Sequence, residues 1–142
     1  MKKIIITTIS IIFIVLIAII LMTNLGNSKN KANTKAAENI LYMNYNAKSI
    51  EKTEIYYGDN TYYISYFNKD NIGVLDDKYK LIMTINKNDL KQIDELENNN
   101  YVIGYKYDKL IYEIKKENKD GFTYSYYDAL NGEFIKKINI DR

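Results

Sequence analysis

The sequence predicts an α+β protein: an N-terminal transmembrane helix followed by two tandem units, each a helix packed on an antiparallel sheet. Three observations carry this. An apolar run, Ile4 to Met22, follows Lys2 and Lys3. Alternating apolar and polar residues recur through most of the chain beyond residue 48, which marks sheets with one buried face. Two stretches of helix-forming sequence each precede a set of such strands, and neither element buries its apolar side alone.

Ile4–Met22 is broken only by Thr7, Thr8 and Ser10. At helical rise it spans about 28 Å, close to the ~30 Å hydrocarbon core of a bilayer. A secretory signal peptide has a shorter apolar region, about 7–15 residues. Gly26 and Ser28 form only a weak cleavage pair, and no cysteine is available for lipid attachment. Residues 1–23 therefore read as a retained signal anchor rather than a cleaved signal. Lysines flank both sides, Lys2 and Lys3 before and Lys29, Lys31 and Lys35 after. The short, immediately basic N-terminal side favours a single pass in the cell membrane with an extracytoplasmic C-terminal domain.

Residues 24–33, rich in Asn, Ser and Lys, read as a flexible linker. The first unit covers residues 34–86. Thr34 can cap a helix that Ala36 and Ala37 favour, with Ile40, Leu41 and Tyr45 on one face to Asn46. Strands follow at Ser49–Tyr57, Thr61–Phe67, Ile72–Asp76 and Tyr79–Ile85, with Gly58-Asp59-Asn60 as the first hairpin turn. The second unit covers residues 87–142. Asn88 reads as the cap of a short helix with Leu90, Ile93 and Leu96 on its apolar stripe. Strands are expected at Tyr101–Tyr107, Leu110–Glu117, Phe122–Asp128 and Glu133–Ile140, with turns at Asp108-Lys109, around Gly121 and around Gly132.

Composition excludes several classes. There is no Cys, His, Trp or Pro. Disulfide stapling is therefore out, and so are the usual zinc, copper, haem and iron–sulfur ligands and Ser–His or Cys–His catalysis. Once Lys2 and Lys3 are set aside, the basic and acidic residues balance. A neutral head does not fit nucleic acid, nor a polybasic lipid patch. No cofactor or metal is expected. Asn68-x-Asp70 and Asn118-x-Asp120-Gly121 echo the start of a calcium loop, but the later ligands are missing and hairpin turns explain both.

The stretch Leu110–Ile140 carries a recognisable pattern: Tyr112-Glu113-Ile114, Gly121, Tyr124 and Tyr126, Asp128-Ala129, then Asn131-Gly132-Glu133-Phe134. It resembles the end of a PepSY domain. With the anchor and the strand–turn–strand EIYYGDNTYYISYF, the whole layout resembles the TseB-like (YpmB-like) cell wall elongation regulators of Gram-positive bacteria. The resemblance implies two cystatin-like modules, an extracytoplasmic location and a non-enzymatic role as a regulator near cell-wall synthesis enzymes. The implied partner is a protein at the same membrane, a penicillin-binding protein or a peptidase.

Other readings rest on residues. Asp76-Asp77, Glu113, Asp128 and Glu133 are the carboxylates a small wall hydrolase would use, yet Asp128 and its neighbours fit turn roles better. A pseudopilin would need a Gly processing site and an early Glu, absent from residues 1–22. An accessory subunit acting through its transmembrane helix is a further alternative. All fifteen tyrosines lie beyond the anchor, and adjacent pairs put rings on both faces of a strand. Core packing explains most of them. Tyr57, Tyr63 and Tyr66 are the candidate protein-binding residues, because tyrosine is favoured at interface hot spots.

Overall fold

The computed structural model describes residues 2–97 and 99–141, with side chains described from Ile11. The chain divides into two units, Met1–Lys35 and Ala36–Arg142.

Helix α1 runs from Lys2 to Asn44. Within the first unit the side chains from Ile11 to Met22 are solvent-exposed, and the helix is long and apolar enough to cross a membrane. The expected irregular linker at 24–33 is helical instead. No proline interrupts it, and a lone Gly26 costs a helix only about 1 kcal/mol relative to Ala. Thr23 satisfies its hydroxyl on the carbonyls of Ile19 and Ile20, and Thr34 on Lys31. Thr34 is thus a helix-interior residue rather than a cap.

In the second unit, α1 ends in a Schellman cap. Asn46 takes a left-handed φ of 53° and Ala47 N–H donates back to the Leu41 carbonyl at 3.1 Å. Eight strands follow in two antiparallel sheets: β1 (Ile50–Tyr57), β2 (Thr61–Phe67), β3 (Asn71–Leu75) and β4 (Leu81–Asn86), then β5 (Tyr101–Lys106), β6 (Lys109–Asn118), β7 (Gly121–Asp128) and β8 (Phe134–Asp141). Each sheet is a meander in chain order. The eight expected strands all form, with ends shifted by up to two residues. The Tyr79 start moves to Leu81 because Tyr79 sits in a turn at φ 61°, whose Lys78 and Lys80 N–H groups donate to Asp76 Oδ1. The β5–β6 turn is Tyr107-Asp108, both left-handed, one residue earlier than expected. Paired left-handed residues match the twist of the flanking strands.

The predicted helix after Asn88 does not form as such. Asn86, not Asn88, is the cap: its side chain accepts from Asn88 N–H at the head of a 3-10 turn, Lys87–Asp89. Leu90 is then extended, and Lys91 N–H donates to the Ala129 carbonyl at 2.8 Å. That tertiary bond takes a donor a continuing helix would need. Only one turn of helix, α2 (Asp94–Glu97), follows.

Two cores share the first sheet. Ala37, Leu41 and Ala47 pack with Tyr63, Phe67 and Leu75 on one face. On the other face Tyr56, Ile64, Ile72 and Val74 join Ile103, Tyr105, Leu110, Tyr112, Ile114 and Tyr126 of the second sheet, with Leu96 of α2. Each sheet with its own covering helix was expected. Instead the end of α1 covers one side of the first sheet, and the two sheets bury apolar residues in a common core.

Candidate functional site

The three tyrosines singled out from the sequence part company in the fold. Alternation along β1 and β2 sends Tyr63 to the side covered by α1, where it is 3% exposed and stacks on Tyr79 with ring centroids 5.1 Å apart. Burial, then its hydrogen bond with Tyr79, pushes its phenol up to about 12. Tyr63 is spent on the core. Tyr57, at the end of β1, is 67% exposed. Tyr66 lies on the opposite face from Tyr63, half-buried against the common core.

Tyr66 forms the floor of a cleft of about 450 Å³. Lys52 Nζ stands 4.5 Å and Lys87 Nζ 5.5 Å from its ring centroid. Lys52 pairs with Glu54 and Lys87 with Glu51, each at 2.9 Å. The walls are Ile72, Leu90, Tyr101, Val102 and Ile103, and Tyr101 and Val102 are both more than two-fifths exposed at the rim. Burial first, then the Glu54 carboxylate, raises the Tyr66 phenol above its ordinary range. Outside the residues that line the cleft, the two sheets also meet at a second place. There Tyr56 of β1 lays its ring over Gly104 of β5, so that an added Cβ would run into the ring. Its hydroxyl donates to Glu113 Oε2 of β6 at 2.8 Å. Sequence reasoning missed this joint. A glycine inside an alternating strand was its one available signal, since such a glycine often admits a close neighbour.

The carboxylates weighed for hydrolysis are scattered. Asp76 caps a turn, and Glu113 accepts from Tyr56. Glu133 accepts from the Asn131 amide. Asp128 takes the N–H groups of Leu130 and Asn131 and pairs with Lys109 at 3.0 Å. Burial would raise the Asp128 carboxyl, but these three donors outweigh it and hold it below the usual range. Asn68 Oδ1 accepts from Lys48 and Ser49 N–H, and Asn118 bonds Thr123. Both calcium-like stretches are turn structures here. Among the described residues no cluster of acidic side chains has metal-holding geometry.

No protein-family model and no curated protein matches the chain. A solved structure does: YpmB protein from Bacillus subtilis, with a TM-score of 0.61 at 16% identity, covering 75% of this chain and 96% of that one. At that identity the likeness is one of fold. The chain therefore has a YpmB-like α+β fold together with an N-terminal helix suited to single-pass membrane anchoring.

Proposed function

We propose that this chain is a membrane-anchored, extracytoplasmic protein-binding module that modulates a cell-wall synthesis enzyme, such as a penicillin-binding protein, or a peptidase in the same membrane. It acts by docking rather than by catalysis. The observation that carries the reading is the pairing of a membrane-suited helix with a YpmB-like head. The PepSY-like pattern at Tyr112–Phe134 supports it, and so does the use of Asp76, Glu113 and Asp128 in turns and inter-sheet bonds. Two tandem PepSY-like modules, fused through a common core, are the evolutionary reading of the doubled sheet. Anchoring confines both partners to one layer, which raises effective concentration and lets weak contacts suffice.

The test is photo-crosslinking from head positions in intact cells, with identification of what is captured. A wall-synthesis enzyme or a peptidase is expected. Capture of neither by any head position overturns the reading. If exchange of Ile4–Met22 for an unrelated span abolishes function while the head is still exported, an accessory subunit acting through its membrane helix replaces it.

A further inference from the structure

The Tyr66 cleft combines two cations, an aromatic floor and apolar walls in one place. Lys52 and Lys87 both lie over one ring, so a single incoming carboxylate can meet both. The Lys52–Glu54 pair is largely solvent-exposed, and such ion pairs are weak and readily exchanged; Lys87 is half-buried and held by Glu51 and the Lys69 carbonyl. Of the charged residues lining the cleft, two are lysines and one is Glu54, and Glu51 pairs with Lys87 beside it, so an incoming carboxylate would exchange with one of these two glutamates. Leu90 beside them, with Tyr101 and Val102 exposed at the entrance, offers an apolar seat, and Ile72 and Ile103 lie buried behind it. An apolar hollow with a few convergent polar groups is the usual form of a binding site.

The cleft is also bordered by two terminal strands. β1 and β5 each end their sheet, and β5 supplies Tyr101–Ile103 to the wall. A terminal strand has backbone groups on its outer side that no neighbouring strand pairs. An extended chain satisfies such groups by adding alongside, with alternate side chains filling pockets.

We propose that this cleft takes an extended acidic segment of a partner polypeptide. One carboxylate of that segment sits between Lys52 and Lys87, and an adjacent apolar side chain sits against Leu90, Tyr101 and Val102. The proposal rests on the protein-binding reading above and gives it an address. The neutral balance of the head as a whole disfavours nucleic acid as the occupant.

The experiment uses the full chain in detergent and short labelled peptides alternating valine with glutamate, lysine or glutamine. The glutamate peptide is expected to bind, more weakly as salt rises, and the other two are not. The double variant Lys52→Gln/Lys87→Gln should lower its affinity roughly tenfold or more. Lys115→Gln/Lys116→Gln, on exposed residues outside the cleft, should leave it unchanged. Equal binding of all three peptides, no binding of any, or indifference to Lys52→Gln/Lys87→Gln overturns the proposal. Thermal unfolding of both variants checks that loss of binding is not loss of fold. In cells, a crosslinker at Val102 separates the two readings. Capture of a partner from other head positions but not from Val102 removes the cleft and leaves the protein-binding role. Capture from none removes both.

Discussion

Gly104 and Tyr56 show how one position joins two sheets. The ring of Tyr56 occupies the space a side chain at 104 would need, and its hydroxyl reaches Glu113 on the next strand. Burial comes first, then the Glu113 hydrogen bond and charge, in raising the Tyr56 phenol far above its ordinary value. The bond thus keeps its donor proton across the working pH range. Gly104→Ala forces the ring or the strand to move, and over-packing of this kind costs about 1–3 kcal/mol. Chemical denaturation should show that loss, and Tyr56→Ala added to Gly104→Ala should cost less than the two single changes summed, because the clash disappears. Additive losses would refute the close approach.

Among the elements, the last turns of α1 matter most to the head. Ala37 and Leu41 are fully buried against Tyr63, Phe67 and Leu75. Leu41→Ala should therefore cost about 2–5 kcal/mol, whereas Met43→Ala, at a position 79% exposed, should fall within about 0.5 kcal/mol of the parent. Similar losses in a denaturant titration of the two would show that the helix end is not packed as described. The strands were legible because alternation is local: Tyr101, Ile103 and Tyr105 face one way by geometry alone. The helix after Asn88 was not, because Leu90, Ile93 and Leu96 recur at a helical spacing and do join the core. They do so from a 3-10 turn, an extended link and a single helical turn, held by the Lys91–Ala129 bond. The residues to be buried were readable, but the backbone path that buries them was set by a turn nearly forty positions away.

In the second unit the two sheets contribute to one core, so they should unfold together. Heating should give a single transition with equal calorimetric and van't Hoff enthalpies; two separated transitions would mean independent modules. The same core makes the head sensitive to alkali. Burial leads the causes that push Tyr112 and Tyr126 of this core, and Tyr63 of the core beneath α1, up to about 12 from an ordinary 10.0. Folding thus favours the neutral phenol. The resulting stability is present in full below pH 10 and is lost as pH rises toward 12. Denaturation midpoints followed across that window, with phenolate absorbance as the second readout, check the sign; a midpoint independent of pH there would contradict it.

The amino-acid sequence by itself determined a membrane-suited apolar helix, eight strands and most of their turns, because length, hydropathy and period-two alternation are properties of neighbours in the chain. The same holds for the side chains it lacks: the sequence offers no imidazole and no thiol. Tertiary structure alone decided which of the two faces of each strand meets α1 and which meets the other sheet. It sent Tyr63 inward and Tyr66 to the floor of a cleft. Those choices depend on contacts between residues far apart in sequence, and alternation marks two sides of a strand without saying what will cover either one.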